Sequence, residues 1–322
     1  MAASGLIVSA VLRRTAQAIF TLWLVSILIF SAMSLVKGDA ATQRLAGAGS
    51  REQVNSLRIQ LGLNQPLPVR YWYWIKGVVQ GDLGTSFVNG RAVSALITDR
   101  GRYSLALGIS ASLLLIVLAS AAGLFCGLRP GSLADRVISL TTLCLVALPE
   151  FVTGTLLVVL FALSLHWLPA LSLITPERSL WTQWPLFVLP VITLITVCLA
   201  QNIKLIRLSV IRATQSPACE CARFNGIAER QVVLHWILPA VISQCVPTLA
   251  RYVTYLFGGA LIAETLFGWP GLAAALLNAT LSRDTPVVMG IAMTLCALTV
   301  LFNLLADCLT TLLNPAARRK GS

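Results

Sequence analysis

The sequence predicts an all-α membrane protein with six transmembrane helices and an extracytoplasmic insert after the first. Three observations carry this. The 322 residues are 57% apolar and only 11% charged, and the mean hydropathy of +0.82 lies outside the range of soluble domains. The apolar residues gather into six windows, each long enough for a helix across the hydrocarbon core, which needs about 20 predominantly apolar residues. The windows are apolar on every face, whereas strands of a membrane β-barrel alternate apolar and polar over about ten residues.

The windows follow in order. A short cytoplasmic N-terminus, 1–14, carries Arg13 and Arg14 and leads into the first span, 15–36. This stretch has no charge, is too long for the core of a cleavable leader and is followed by no clear small-residue cleavage site, so it is read as an uncleaved helix. The insert is 37–102. The remaining spans are 103–128, 137–166, 184–206, 236–263 and 287–313, making 103–313 the membrane core, and 314–322 is a cytoplasmic C-terminus. No internal repeat stands out.

Charge orients these helices. Arg129 and Arg136 lie between the second and third spans, Lys204, Arg207, Arg212, Arg223 and Arg230 around the loop from 207 to 235, and Arg318, Arg319 and Lys320 at the end. The short opposite loops hold only Glu177 with Arg178, then Glu264, Arg283 and Asp284. Lys and Arg concentrate on the cytoplasmic side, so both termini and the 207–235 loop are assigned there. The basic excess of the insert does not oppose this, because a loop of about 60 residues is beyond the reach of the rule.

The net charge of +12 is therefore a topological signal. Its dispersal along loops argues against a nucleic-acid partner. Cys126, Cys144, Cys198, Cys245, Cys296 and Cys308 fall inside spans and read as small apolar residues. Cys219 and Cys221 form a lone CxC, and His166 and His235 sit on opposite sides, so no metal site is assigned.

One polar stretch interrupts the apolar pattern. SPACECARFNG, residues 216–226, has an N-cap serine, Ser216, a first-turn proline, Pro217, an acid in the first turn, Glu220, and a terminating glycine, Gly226. These signals predict a helix of two to three turns, too short to persist alone in water and so held by packing.

The longer pattern ECARFNGIAERQVVLHWILP, 220–239, resembles the EAA loop of ABC importer permeases. Glu220 stands at the acidic position, Ala222 at the second alanine, Gly226 at the glycine, and Leu238 with Pro239 at the closing Leu-Pro pair; Cys221 replaces the first alanine. The resemblance narrows to the dipeptide, oligopeptide and nickel permease group through LRRTAQAI at 12–19, GDA at 38–40, LGLNQPLPVRYWYWIKGVVQGDLGTSF at 61–87, LPEF at 148–151, HWLPA at 166–170, and GGALIAETLFGWPGLA with RDTPVVMG within 258–290. The sequence departs from the group's pattern at Ala40, where its turn has proline, at RGRYSLAL before the second span, and at Glu150, where Ser or Asn is common.

The resemblance implies a type I ABC importer permease fold in a bacterial inner membrane. It implies a second permease subunit, two ATP-binding subunits carrying ATP and Mg, and an extracytoplasmic binding protein that delivers a di- or oligopeptide, nickel or a metal chelate. The helix 217–225 is then a coupling lever, with Gly226 allowing the exit turn and Glu220 helping to fix it. The permease itself is non-catalytic and has no cofactor of its own; it lacks the G-x-x-x-x-G-K-[ST] phosphate loop. A secondary transporter, working without an ATPase, is the alternative, and it leaves the capped loop without a role.

Three acids and bases at or near membrane depth are substrate-path candidates, because such groups usually face protein or water. Glu150 follows Pro149 in the third span, where proline frees backbone groups; its carboxylate would attract a cation, a chelate or a peptide amine, or pair with Arg251. Arg251, midway along the fifth span, would meet Glu150 or a substrate carboxylate. Glu264, at the outer end of that span, reads as a loop-fixing group. Tyr71, Trp72, Tyr73 and Trp74, with Trp167, Trp181 and Trp184, read as an interfacial aromatic belt, the first four also lying where a binding protein would dock.

Overall fold

The computed structural model describes residues 2–35, 38–45, 50–175, 177–258 and 260–313. The C-terminus 314–322, with its basic cluster, lies outside the described residues, as does the Trp181 side chain. Helices α1 (Ala2–Leu35), α2 (Ala40–Arg44), α3 (Arg51–Gln60), α4 (Leu67–Val79), α5 (Val93–Leu128), α6 (Leu133–Ala147), α7 (Glu150–Leu157), α8 (Pro185–Thr214), α9 (Pro217–Phe224), α10 (Glu229–Val232), α11 (Leu238–Gly258), α12 (Leu261–Leu266), α13 (Leu272–Leu281) and α14 (Thr285–Leu313) follow one another. Among the described residues the extended pairing is a single antiparallel bridge between Thr85 and Ala92.

Among the described residues, five helices are long and apolar enough to cross a membrane, and a sixth span is reached if the bent pair Leu133–Ala147 and Glu150–Ser164 is counted as one. That pair corrects the continuous third span expected at 137–166. Leu148 and Pro149 adopt extended backbone, which ends α6 and turns α7 by 111°. Proline disfavours helical backbone at the residue before it, and Leu148 takes the extended alternative. A π-helical segment, wider than an α-helix, follows at Val158–Ser164, nine residues after Pro149.

Hydropathy also misplaces several ends. Helix α5 starts at Val93, ten residues before the apolar window, and carries Asp99, Arg100 and Arg102 in its polar first turns. Helix α8 continues through Lys204, Arg207 and Arg212 to Thr214. The helix expected from 236 begins at Glu229. Charged residues are good helix formers, so helices outrun the hydrocarbon and the apolar window marks only their membrane part.

The chain forms two compact units. The first is built on Ala106–Trp269, with α8 at its centre: 61% of the most apolar window of α8 is buried, and α6, α7, α11 and α12 pack on it. Gly123 and Gly127, four residues apart on α5, meet α8 closely. A Cβ at Gly127 would lie 2.5 Å from Val210 Cβ, and one at Gly123 would lie 2.6 Å from Ile206 Cβ. Small residues at this spacing let two backbones approach where lipid offers no hydrophobic drive. Gly127→Val is expected to lower stability by about 1–3 kcal/mol through overpacking; an unchanged thermal midpoint of the detergent-purified protein would refute the close approach.

The same unit holds a buried ion pair between α6 and α8. Arg207 donates to both carboxylate oxygens of Asp135 at 2.5 and 2.8 Å, and the Gly131 amide adds a third bond at 2.9 Å. Asp135 is 3% exposed at its side chain and Arg207 is 25% exposed.

The second unit is built on Ile7–Leu105 and Pro270–Val300. Its apolar centre joins Val93, Leu272, Ala279, Val287, Val288 and Ile291, with Ile29 and Met33 of α1 packed against them. The insert is helical, with capping boxes at Asp39 and Ser50 opening α2 and α3. Its last loop is held by Asp284, 3% exposed, which accepts bonds from Ser86 Oγ at 2.5 Å, Phe87 N at 2.9 Å and Val88 N at 3.4 Å. The aromatic run at 71–74 splits by helix face. Tyr71 bonds Ser26 at 2.7 Å and packs edge-on to Phe30 of α1, while Trp72 and Tyr73 point outward.

Candidate functional site

The capped stretch folds as its residues dictate. Ser216 Oγ accepts from the Cys219 amide at 3.4 Å, Pro217 sits in the first turn, and Gly226 adopts φ of +76° at the exit. Helix α9 buries Cys219 and Ala222, at 1% and 4% exposure, against its neighbours α8 and α10. The opposite side presents Glu220, Cys221 and Phe224 outward, Phe224 at 90% exposure.

The structure reassigns the group that fixes the exit turn. Among the described residues the Glu220 side chain makes no hydrogen bond or ion pair, although the sequence assigns it that task; it is exposed, and its carboxylate acts on Arg223 only through its charge. Arg223 does the work instead. It donates to both oxygens of Glu229 at 3.0 and 2.7 Å and to the Thr214 carbonyl at 3.2 Å, clasping the end of α8 to the start of α10. Sequence spacing carries one signal of this: an arginine in the last turn of a short helix with a glutamate six residues on. Leu238 and Pro239 follow a π-helical segment, Val233–Ile237. Leu238 N bonds Val233 O across five residues, and a π-turn placed before a proline accommodates the missing amide within a continuous helix.

The path candidates separate. Glu150 is the first residue of α7, immediately after the break, and its Oε1 is buried with no hydrogen-bond partner. Cys198 of α8 and Tyr255 of α11 lie within range of its charge, and Tyr252 of α11 bonds Gln201 of α8. Arg251 is exposed and does not pair with Glu150. It lies one turn, about 6 Å along the axis, before Tyr255, and its guanidinium stays outward instead of folding onto the carboxylate. Glu264 is enclosed at 1% exposure in α12; its carbonyl accepts from the Trp269 amide at 2.8 Å, and Trp269 stacks edge-on to Phe187 at 4.6 Å. That is the environment of a loop-fixing group. Sequence reading did not single out Cys198, Gln201, Tyr252 or Tyr255, since polar residues spaced along apolar helices carry no local mark of which share a face across helices.

Comparison with known proteins decides what kind of molecule presents these features. Residues 119–319 match the family described as "Binding-protein-dependent transport system inner membrane component", and residues 7–108 match its N-terminal companion. The chain belongs to this family. It is a multi-pass inner-membrane permease of a binding-protein-dependent ABC transport system. The permease is 32% identical over 311 residues to the glutathione transport system permease protein GsiC of an Escherichia coli strain, covering 96% of this chain and 99% of that one. The GsiC protein of Salmonella typhi gives the same 32% over 311 residues, with 96% and 99% covered. A crystal structure of an amino acid ABC transporter with histidines aligns at a TM-score of 0.47 and 14% identity, covering 65% of this permease and 94% of that chain.

Proposed function

We propose that this permease pairs with a second permease subunit and two ATP-binding subunits to import a small peptide or peptide-like substrate brought by an extracytoplasmic binding protein. The observation that carries the proposal is α9: a capped helix, clasped at its base by Arg223, that presents Glu220, Cys221 and Phe224 outward while Cys219 and Ala222 anchor it. A stiff element with one free face transmits a partner's movement, and coupling of two sites requires such an element. Both termini and α9 lie in the cytoplasm in this reading, in line with the basic residues around α9. The relatives' glutathione transport favours a peptide-type substrate over nickel.

Glu150 is the group proposed to meet the substrate's positive end. A carboxylate at membrane depth whose buried Oε1 has no partner among the described residues is suited to an ammonium group. Glu150→Gln is expected to reduce uptake of a cationic substrate about 10-fold to 100-fold, the worth of a hydrogen bond to a charged group at about 1.5–3 kcal/mol, with assembly intact. Equal losses of uptake and assembly would make Glu150 a structural residue.

The deciding experiment is co-purification of the chain with its co-expressed neighbours, followed by ATPase assays of the reconstituted assembly with binding proteins loaded with glutathione, other short peptides or chelated nickel. Stimulation by a peptide-loaded binding protein is expected. Transport that proceeds without any ATPase partner would overturn the proposal in favour of a secondary transporter.

A further inference from the structure

Two cavities adjoin in the second unit, beside the end of α1 that leads into the insert. One, of about 230 Å³, is walled mainly by apolar and aromatic groups, among them Phe30, Tyr73, Trp74 and Met289; the other, of about 120 Å³, is polar and holds Arg70, Arg283, Ser34 and Thr285. Arg70 and Thr285 line both.

Among the described residues neither arginine forms an ion pair. Arg70 is half-buried and packs its guanidinium 5.8 Å from the Phe30 ring centre; burial lowers its pKa from the ordinary arginine value, with Asp39 acting in the opposite sense. Asp39 also lines the polar cavity, but it is committed to Arg58 at 2.5 Å and to capping α2 through the Thr42 amide. Arg283 is also half-buried and has φ of +59°. It occupies the left-handed position after α13, with the Asp284 amide reaching back to Ala279 O at 2.9 Å. That position ordinarily takes glycine or asparagine, so the arginine holds its place against backbone preference. Backbone strain of this kind concentrates at ligand sites.

We propose that these joined cavities bind an anionic phospholipid, the phosphate between Arg70 and Arg283 and the upper part of an acyl chain among the aromatic walls. Guanidinium forks match phosphate oxygens in planar, paired hydrogen bonds. The polar and apolar compartments share a wall, which suits one molecule with a charged end and a greasy end. Access supports a lipid over a soluble anion: the cavities border Phe30, Met33 and Ser34 of a span whose apolar window is only 11% buried within the chain, so the site adjoins surface that lipid covers. The site does not depend on the identity of the transported substrate or on which side of the membrane the insert occupies.

The test uses the full assembly, delipidated in detergent and titrated with phosphatidylglycerol, phosphatidylcholine or inorganic phosphate, with binding followed by native mass spectrometry. Wild type is expected to prefer phosphatidylglycerol, and Arg70→Gln or Arg283→Gln each to reduce that preference about fivefold; exposed Arg100→Gln, an equal loss of charge, is expected to leave it unchanged. Arg283→Gly separates binding from folding, because it removes the guanidinium while easing the backbone; lipid preference should fall with no loss of thermal stability. Equal binding of both lipids, or Arg283→Gly that binds as wild type, would overturn the proposal. So would inorganic phosphate binding as tightly as the lipid, which would mark a free-anion site. Variants that keep the lipid but lose stimulation by the binding protein would reassign the arginines to protein docking.

Discussion

Gly226→Pro is expected to impair coupled transport severely while leaving the permease inserted and assembled. Gly226 holds φ at +76°, and its amide donates to the Arg223 carbonyl at 2.9 Å. Proline fixes φ near about −65° and has no amide hydrogen, so the exit turn cannot form and the Arg223 to Glu229 clasp loses its geometry. Transport should fall about 5-fold to 150-fold, the span that corresponds to a lost coupling energy of about 1–3 kcal/mol. Gly226→Ala grades the effect: a Cβ there meets nothing within 4 Å, so only the left-handed backbone cost of about 1–2 kcal/mol remains. Glu220→Lys probes the outward face of α9, because among the described residues the exposed Glu220 side chain makes no hydrogen bond or ion pair. It is expected to lower binding-protein-stimulated ATPase activity with an unchanged thermal midpoint. Normal uptake by both Gly226→Pro and Glu220→Lys would remove α9 from the coupling role.

Asp135→Ala is expected to destabilise the first unit by about 3 kcal/mol, the lower end for breaking a buried pair, because Arg207 keeps 25% of its side chain exposed and stays partly solvated. The loss arises chiefly from leaving the Arg207 guanidinium without its acceptor, and the Gly131 amide loses its partner as well. Replacing both charges, Asp135→Leu with Arg207→Met, is expected to recover most of that loss, since a buried pair and an apolar pair of similar volume are often close in stability. Thermal denaturation of single and double variants measures the difference. A double variant as unstable as Asp135→Ala would show that the pair contributes through packing and not through an uncompensated charge.

How far the sequence reveals the site follows from the range of the interactions involved. Helix α9 is legible because all its signals are local: Ser216 caps, Pro217 opens and Gly226 closes within eleven residues. The break at Leu148 and Pro149 is not legible locally, because the same Leu-Pro pair lies within helix at 189–190 and 238–239, and apolarity continues on both sides so that hydropathy reads a single span. Helix α8 outruns its window because Lys204, Arg207 and Arg212 are polar without being helix breakers. The Glu150 cluster is the least legible part. Cys198, Tyr252 and Tyr255 are distant in sequence and meet only when α7, α8 and α11 pack together, and the exposure of Arg251 depends on side-chain direction.

By itself the sequence determined the class of molecule, the number of membrane passages, the sidedness proposed from charge and the capped helix between α8 and α10. These depend on composition, on the thickness of the hydrocarbon core and on backbone preferences within one turn, all of which operate without knowledge of neighbours. Only the tertiary structure decided that Arg207 answers Asp135, that Arg223 rather than Glu220 closes the coupling loop, that Glu150 stands apart from Arg251, and that Arg70 and Arg283 share a cavity. The physical reason is that apolar helices carry little pattern on their surfaces to specify partners. Their pairing is settled by close approach at residues such as Gly127 and by a few desolvated polar groups, whose partners exist only once the helices have met.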